Sequence, residues 1–393
     1  MENSSIVTEN TEAELCMNIG QVSHLYRPSI GGIENYVHRL NRSIRAHNHE
    51  SRTYTTDLSL RNGRAPVSDE PVRYCRTTLA PYRNPLSVEL YREVKQTAND
   101  IDVFHLHSPW FLSTLASAIA LPDDQPTVMT VHSAEIANHR LTVRALNTGY
   151  RPFAKYIFNR VDRCIVQGES EKSRLISCFD VDDSQVEVIP NGIHFDEYDV
   201  DEVQINEFRS KYGIQADVPT ILFVSRLVPE KNPDVFVEAV CSIEADKCQA
   251  VVIGSGDDEF ATSLREQAND RVTFLAGLSF DELKAAYQAA DLFVFLGTWE
   301  GLPTVILEAM NAELPIVSTG VGAIPDAVQD GEHGTIVPRL PDQEVVADTI
   351  RLYLDDPANR KQIGTRNRKY VRQHYAWEDI AERIIHTYEE VRS

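Results

Sequence analysis

Short apolar runs alternate with longer amphipathic segments along almost the whole of this chain, and the series runs twice. In the first half the runs are Cys16–Val22, Ser51–Thr56, Val72–Arg76, Val103–Leu106, Thr127–Val131, Cys164–Val166 and Val186–Ile189. They begin again as Thr220–Val224, Ala250–Ile253, Val272–Leu275, Leu292–Phe295, Ile316–Ser318 and Thr335–Val337. Runs this short, bounded by turn residues, read as strands. The stretches between them, such as Glu34–Ala46, Ser87–Ala98, Glu169–Cys178, Asp234–Ile243, Asp258–Gln267, Phe280–Ala289 and Pro303–Asn311, carry helical periodicity. Strands that alternate with helices need crossover connections, which give parallel sheets covered by helices on both faces. Two such series predict two doubly wound α/β domains, which a length of 393 residues accommodates. The acidic segment His194–Val218 interrupts the pattern and marks the boundary. The expected division is a polar tail (1–16), a first domain (17–195), a second domain (196–375) and a last amphipathic helix (376–393) with Ile380, Ile384, Tyr388 and Val391 on one face. Ligands of such sheets bind beyond the carboxyl ends of the strands, so the cleft between the domains is the expected site.

Charge separates the two halves. The net charge is -21, with 59 acidic against 38 basic side chains. Residues 1–190 carry 20 basic and 23 acidic side chains, net -3, and residues 191–393 carry 18 and 36, net -18. The acidic total argues against general nucleic-acid binding, which needs a basic surface to neutralise phosphates. Only 9 of the basic residues are Lys, and an acidic, Lys-poor composition is the one expected of a protein adapted to high salt. Six scattered cysteines form no CxxC pair and read as reduced thiols. The first residues lack a basic-then-apolar signal pattern, and the apolar stretch Phe111–Leu121 is too short to span a bilayer. A cytoplasmic protein is expected.

Chemistry gathers at the predicted strand ends. Ser29-Ile30-Gly31-Gly32-Ile33-Glu34 follows the first strand. Its two glycines let backbone amides approach a ligand at a helix N-terminus. A simple βα turn accounts for that loop equally well. Ser225-Arg226-Leu227-Val228-Pro229-Glu230-Lys231-Asn232-Pro233 follows the first strand of the second half, and its two cations suit a diphosphate, Arg226 by a planar fork and Lys231 as a point charge. Gly254-Ser255-Gly256-Asp257-Asp258 follows the next strand. A dinucleotide fingerprint would need a third glycine where Glu259 stands, so nicotinamide and flavin readings are rejected. In Glu300-Gly301-Leu302-Pro303, Pro303 suits a first helical turn. Glu308 then lies two turns along an apolar helix, where a carboxylate is either paired or reaching a ligand hydroxyl. His105 and His107 close one strand and His132 follows another. Three histidines suit zinc, but no carboxylate or cysteine stands beside them at helpful spacing, so hydrogen-bonding roles are preferred and no metal site is expected.

In this order, the Gly-Gly loop, Thr130-Val131-His132-Ser133, Pro190-Asn191-Gly192-Ile193, the Arg226–Lys231 loop, Gly254-Ser255-Gly256, the Glu300-x7-Glu308 pair and the glycine loop around Gly320–Pro325 resemble the retaining glycosyltransferases of family 4. That resemblance spans about Met17 to Val391. It implies a GT-B architecture of two Rossmann-like domains, acceptor side first, with the C-terminal helix crossing back to the first. It also implies roles. Arg226 and Lys231 bind the donor diphosphate, Glu308 the ribose, and Glu300 the sugar hydroxyls beside the backbone of Gly322, Ala323 and Ile324. Gly31, Gly32 and Gly254 belong to the same donor site. His132 lies near the reacting sugar, and His107 and Asn191 line the acceptor side or the cleft. Ser225 stands where members commonly have Gly.

The implied activity is metal-independent, retaining transfer from a nucleoside-diphosphate sugar to a glycan or lipid-linked acceptor in cell-surface glycan or glycoprotein synthesis, without a bound cofactor. A nucleotide-sugar epimerase or hydrolase, or a non-catalytic nucleotide-sugar-binding protein, are the alternatives. Asp180-x-Asp182 and Asp199-x-Asp201 match the metal-binding pattern of the other main transferase fold only in acidic loops, and chance explains them better. The segment 139–163 holds Arg140, Arg144, Arg151, Lys155 and Arg160 with interleaved aromatics, which suits an anionic membrane surface or a lipid phosphate at the inner face of the plasma membrane. An amphipathic helix packed on the sheet, with its arginines in solvent, fits equally well.

Overall fold

The computed structural model describes residues 16–29, 31–61, 65–66, 69–133, 141–244, 247–256 and 258–393, without the side chains of 141–147 and 258. Its first half contains strands β1 (Asn18–Val22), β2 (Glu50–Thr56), β3 (Val72–Cys75), β4 (Val103–His107), β5 (Thr127–Val131), β6 (Arg163–Val166) and β7 (Val186–Val188). The second half contains β8 (Thr220–Val224), β9 (Gln249–Ile253), β10 (Val272–Leu275), β11 (Leu292–Phe295), β12 (Ile316–Thr319) and β13 (Gly334–Val337). The sheets run in the orders β3-β2-β1-β4-β5-β6-β7 and β10-β9-β8-β11-β12-β13. Neighbouring strands pair in parallel throughout both. Strand order reverses between β1 and β4 and between β8 and β11, which opens a crevice at the carboxyl edge of each sheet. The fold is thus α/β, with two Rossmann-like sheets.

Continuous apolar strands such as Thr127–Val131 form because both faces of each sheet are covered. One face of the first sheet packs Val22, Phe104, Leu106, Met129 and Val166 against its helices. The other packs Ile19, Val103, Val128 and Ile165 against Tyr36, Leu40 and Ile44 of the helix Gly32–Ala46, and against Trp377, Ile380, Ile384 and Tyr388 of the helix Trp377–Arg392. The last helix therefore belongs to the first sheet. Its entry is pinned by reciprocal backbone bonds, Ile193 N–H to the Tyr375 carbonyl and Trp377 N–H to the Ile193 carbonyl, both 3.1 Å. Inside, the Trp377 indole donates to the Ser43 hydroxyl at 2.9 Å.

The acidic interruption differs from the expectation of a plain boundary. It holds a helix, Glu202–Tyr212, opened by an Asp201–Gln204 capping box and ended by Gly213 at φ 72°. Ile205 and Phe208 of this helix join the core of the second half beside Tyr287 and Phe293. The aspartates of the rejected metal patterns also do local work. Asp182 caps the turn at Ser184, and Asp180 ends the helix Glu169–Phe179 in the left-handed region.

Candidate functional site

The loop after β8 is held on three sides. Ser225 and Leu227 donate their amides to the carbonyls of Ile253 and Ser255 after β9, each at 3.0 Å. A Cβ on Gly254 or Gly256 would strike the Ser225 or Leu227 carbonyl. Gly254, expected in the donor site, is thus the seat of the Arg226 loop. Asn232, at φ 48°, donates its side-chain amide to the Leu296 carbonyl at 2.8 Å, and Thr298 donates backbone N–H and hydroxyl to the Glu230 carbonyl at 2.9 and 3.1 Å. These ties aim Lys231 at the cleft. Its ammonium touches the Glu300 carboxylate and stands 5.3 Å from the centre of the Phe295 ring, while Arg226 is exposed at the rim. Burial, with Arg226 nearby, pushes the Lys231 ammonium down to about 7.

Gly322 is required by both conformation and space. Its φ is +56°, and a Cβ would lie 2.1 Å from the Glu300 carbonyl oxygen. The loop it makes sets Glu300. The amides of Ala323 and Ile324, whose backbone is expected beside the donor sugar, donate to the carbonyls of Gly301 (3.0 Å) and Val321 (3.1 Å). Glu308 is buried on the helix Thr304–Asn311, and each of its oxygens accepts a phenol, from Tyr198 and from Tyr287, both at 2.7 Å. Arg39 of the helix Gly32–Ala46 donates to the same Tyr198 oxygen at 3.4 Å. A carboxylate oxygen has two acceptor sites, so one on each Glu308 oxygen remains for a ligand hydroxyl.

On the facing side, Gly31 is the extended residue that opens the helix Gly32–Ala46, and the Glu34 carboxylate folds back against it. Burial raises the Glu34 carboxyl, opposed by its own backbone amide and by Arg226 and Arg83. A Cβ on Gly32 would meet open space. His107 is fully buried, so it does not line the acceptor side. Its Nε2 bonds Gln21 Oε1 at 2.7 Å and its Nδ1 lies 3.3 Å from His132 Nε2. His132 keeps partial exposure under the edge of the Tyr36 ring, 4.9 Å between centroids. Burial pushes the His24, His105 and His132 imidazoles down to about 3 and His107 well down. All four are neutral at physiological pH. Among the described residues, no group of three or more His, Cys, Asp or Glu is placed to hold a metal ion.

The halves meet through polar contacts, one of them made by Asn191. Gln167, just after β6, accepts from the Leu302 amide at 2.5 Å, and Asn191 donates to the Leu302 carbonyl at 3.0 Å. Asn191 is therefore a clamp across the cleft. Ser170 donates to the Gly322 carbonyl at 2.6 Å, and a Cβ on Gly301 would strike the His132 carbonyl. A small cavity there is lined by Ser133, Arg174, Trp299, Glu300, Gly322 and Arg339. Position at the end of β6 was the available signal for Gln167. Nothing in the sequence marked Arg174 or Arg339.

The helix Leu141–Phe158 makes up most of the basic segment, with Arg140 and the Arg144 side chain outside the described residues. Arg151 lies over the Phe179 ring, Lys155 pairs with Asp180 at 3.3 Å, and Arg160 contacts Asp123. On the other basic face, Arg39 reaches the Gly192 carbonyl, Arg42 reaches Glu197 and Arg45 reaches Glu70. These cations have protein partners, which lends no support to an anionic surface as theirs. No helix among the described residues is long and apolar enough to cross a membrane.

Two facing Rossmann-like sheets, with cations and carboxylates at their opposed strand ends, define a GT-B transferase scaffold. Residues 30–197 match the family described as Glycosyltransferase Family 4, and residues 204–370 match Glycosyl transferases group 1. An uncharacterized glycosyltransferase of Methanocaldococcus jannaschii is 30% identical over 297 residues, 73% of this chain and 75% of that protein. A GDP-mannose-dependent alpha-(1-6)-phosphatidylinositol monomannoside mannosyltransferase of Mycobacterium tuberculosis is 26% identical over 92% of this chain and 96% of its own length. Among solved structures, Anabaena HepE in complex with UDP-glucose superposes with a TM-score of 0.79 at 20% identity, covering 95% of this chain and all of that one (100%). The chain belongs to glycosyltransferase family 4, and it is a glycosyltransferase.

Proposed function

We propose that this protein transfers a sugar from a nucleoside-diphosphate sugar to a hydroxyl of a glycan or lipid-linked acceptor, with retention at the anomeric carbon and without a metal ion. The observation that carries the reading is the cluster of Arg226, Lys231 and Glu300 at the carboxyl edge of the second sheet, where Arg226 bears on the Glu34 carboxylate beside Gly31, and where Gly301, next to Glu300, abuts the His132 carbonyl of the first half. As the bond from the anomeric carbon to the phosphate oxygen breaks, negative charge grows on the diphosphate. Lys231 stabilises that charge from its buried position and Arg226 from the rim of the cleft. The acceptor oxygen bonds the same face of the anomeric carbon, and its proton passes to the departing phosphate oxygen. Glu300 and Glu308 bind the hydroxyls of the sugar and of the ribose. The relatives favour two donor classes to try, GDP-mannose from the mycobacterial mannosyltransferase and UDP-glucose from the HepE complex. The phosphatidylinositol monomannoside in the former's name supports looking for the acceptor among lipid-linked glycans of the cell surface.

A panel of UDP- and GDP-sugars, scored by the rise in melting temperature, tests the donor. Retention is read from the anomeric coupling of the product by NMR. The expected outcome is stabilisation by one nucleotide class and a product with the donor's anomeric configuration. No stabilisation by any sugar nucleotide, or an inverted product, rejects the reading.

A further inference from the structure

The centre of the first sheet is not wholly apolar. Gln21 on β1, His105 and His107 on β4, Thr130 on β5 and Tyr388 on the last helix all have 0% exposure, and they form one hydrogen-bonded chain. Tyr388 Oη lies 2.6 Å from His105 Nδ1, and His105 Nε2 lies 2.7 Å from Thr130 Oγ1. Gln21 Nε2 donates to the same Tyr388 oxygen at 3.3 Å, while Gln21 Oε1 lies 2.7 Å from His107 Nε2. His107 Nδ1 then meets His132 Nε2 at 3.3 Å. His132 is the one member of this chain that is not fully buried, and its carbonyl meets Gly301 of the other half at the cleft.

Donor and acceptor bookkeeping gives the chain a direction. An amide oxygen only accepts, so the proton of neutral His107 sits on Nε2 and its Nδ1 is a lone pair. A lone pair must be met by a donor, so His132 carries its own proton on Nε2. Neutral His132 therefore keeps Nδ1 unprotonated. At the other end, Gln21 fills an acceptor site of Tyr388, whose hydroxyl donates to His105 Nδ1, and His105 Nε2–H donates to Thr130. Each of these five side chains has a partner, as deep burial demands. Apolar residues would fill the same space without that requirement.

We infer that Gln21, His107 and Tyr388 are positioning residues that hold His132 as the neutral Nε2–H tautomer, so that its Nδ1 serves the cleft as an acceptor for a sugar hydroxyl. His132 then acts by accepting a hydrogen bond and is not a cation set against the diphosphate. Two features hold the ring in place. The Tyr36 ring meets it edge-on at 85°, and the backbone of His132 is wedged beside Gly301. The assignment of His132 to the substrate rests on the proposed transferase reading. The tautomer does not.

The test separates the two. In the full-length protein without ligand, 15N NMR of labelled histidine, assigned by the loss of one spin system in His132→Asn, reads the protonation of each ring nitrogen. The expected result is a protonated Nε2 and an unprotonated Nδ1 on His132. Gln21→Met removes the amide that orders His107, and Tyr388→Phe removes one hydroxyl from a ring that stays in place. Both variants are expected to mix the two tautomers of His132. They are also expected to lower kcat by about tenfold or more, with the KM for the donor moved less than kcat, as outer-shell partners of functional histidines do. Turnover is followed with UDP-glucose or GDP-mannose, whichever the wild type consumes. If Gln21→Met does not fold, Tyr388→Phe supplies both readouts. A His132 proton on Nδ1 in the wild type overturns the inference, and so does a folded variant whose tautomer and kcat are unchanged. If the tautomer is as expected and no sugar nucleotide is consumed, the transferase reading has failed and the hydrogen-bond chain stands.

Discussion

The ammonium of Lys231 rests against the carboxylate of Glu300, each side chain less than one fifth exposed, at the opening of the second sheet. In the proposed donor complex, Lys231 turns part of its charge to the diphosphate while Glu300 takes sugar hydroxyls. Lys231→Ala is expected to lower kcat/KM by about 100-fold or more, on the scale of losing one preorganised charge in a dry site, with little change in melting temperature. Glu308→Ala is expected to behave differently. It leaves the hydroxyls of Tyr198 and Tyr287 buried without their acceptor, so it costs about 2–5 kcal/mol of stability as well as turnover. Parallel kinetics and thermal melts separate the two. Wild-type transfer by Lys231→Ala removes the diphosphate assignment.

Lys231 also predicts a proton balance. Its ammonium is pushed down to about 7 in the free protein, and a bound diphosphate raises it again. Above pH 7 the free lysine is largely neutral, so binding UDP or GDP there takes up a proton, and binding at pH 6 takes up almost none from this group. Titration calorimetry in buffers of different ionisation enthalpy measures the uptake. A buffer-independent heat at pH 8 contradicts it.

The buried imidazoles set the acid limit of the fold. His24 and His105 stay neutral down to about pH 3 in the folded chain, against 6.5 when exposed. The unfolded chain therefore binds more protons between these values. Stability is fully present above pH 6.5 and is lost as pH falls toward 3, by up to about 1.4 kcal/mol per pH unit for each such histidine. Melting temperatures at pH 7.5, 6 and 5 are expected to fall progressively. A flat profile over that range counts against burial of the cluster.

Gly322 offers a test of the loop alone. Gly322→Ala places a methyl group against the carbonyls of Glu300 and Gly301 at a positive φ. The expected outcome is a loss of about 1–3 kcal/mol together with weaker donor binding, because the loop that sets Glu300 must move. Thermal melts and nucleotide titrations read both.

Salt dependence checks the charge asymmetry. With net -18 in residues 191–393, self-repulsion falls as ions screen it. The melting temperature is expected to rise between low and molar salt. Full stability in the absence of salt rejects the high-salt expectation drawn from composition.

How far the sequence could be read depended on what each feature needed. Strands such as Thr127–Val131, Thr220–Val224 and Val272–Leu275 coincide with the apolar runs that predict them, because a strand packed under helices is filled mainly by apolar residues. Lys231 and Glu300 were legible as residues at strand ends, and the fold brings them together. The helix Glu202–Tyr212 was hidden because acidic residues surround its two buried anchors, Ile205 and Phe208. His107 read as a cleft residue because strand alternation gives a face and not a depth. One position earlier than the loop, it lies beneath His132. Gln167 and the partnership of Gln21 with Tyr388 were invisible for a simpler reason. Each depends on a contact between residues far apart in sequence, which no local pattern encodes.

The side-chain contact between Gln21 and Tyr388 closes a loop of 367 residues. One face of the first sheet, made early in translation, acquires the cover of Trp377, Ile380 and Ile384 only when the helix Trp377–Arg392 has left the ribosome. The two sheets therefore cannot mature strictly in the order of synthesis. Whatever folds first in the nascent chain does so with an apolar face still waiting for the helix Trp377–Arg392.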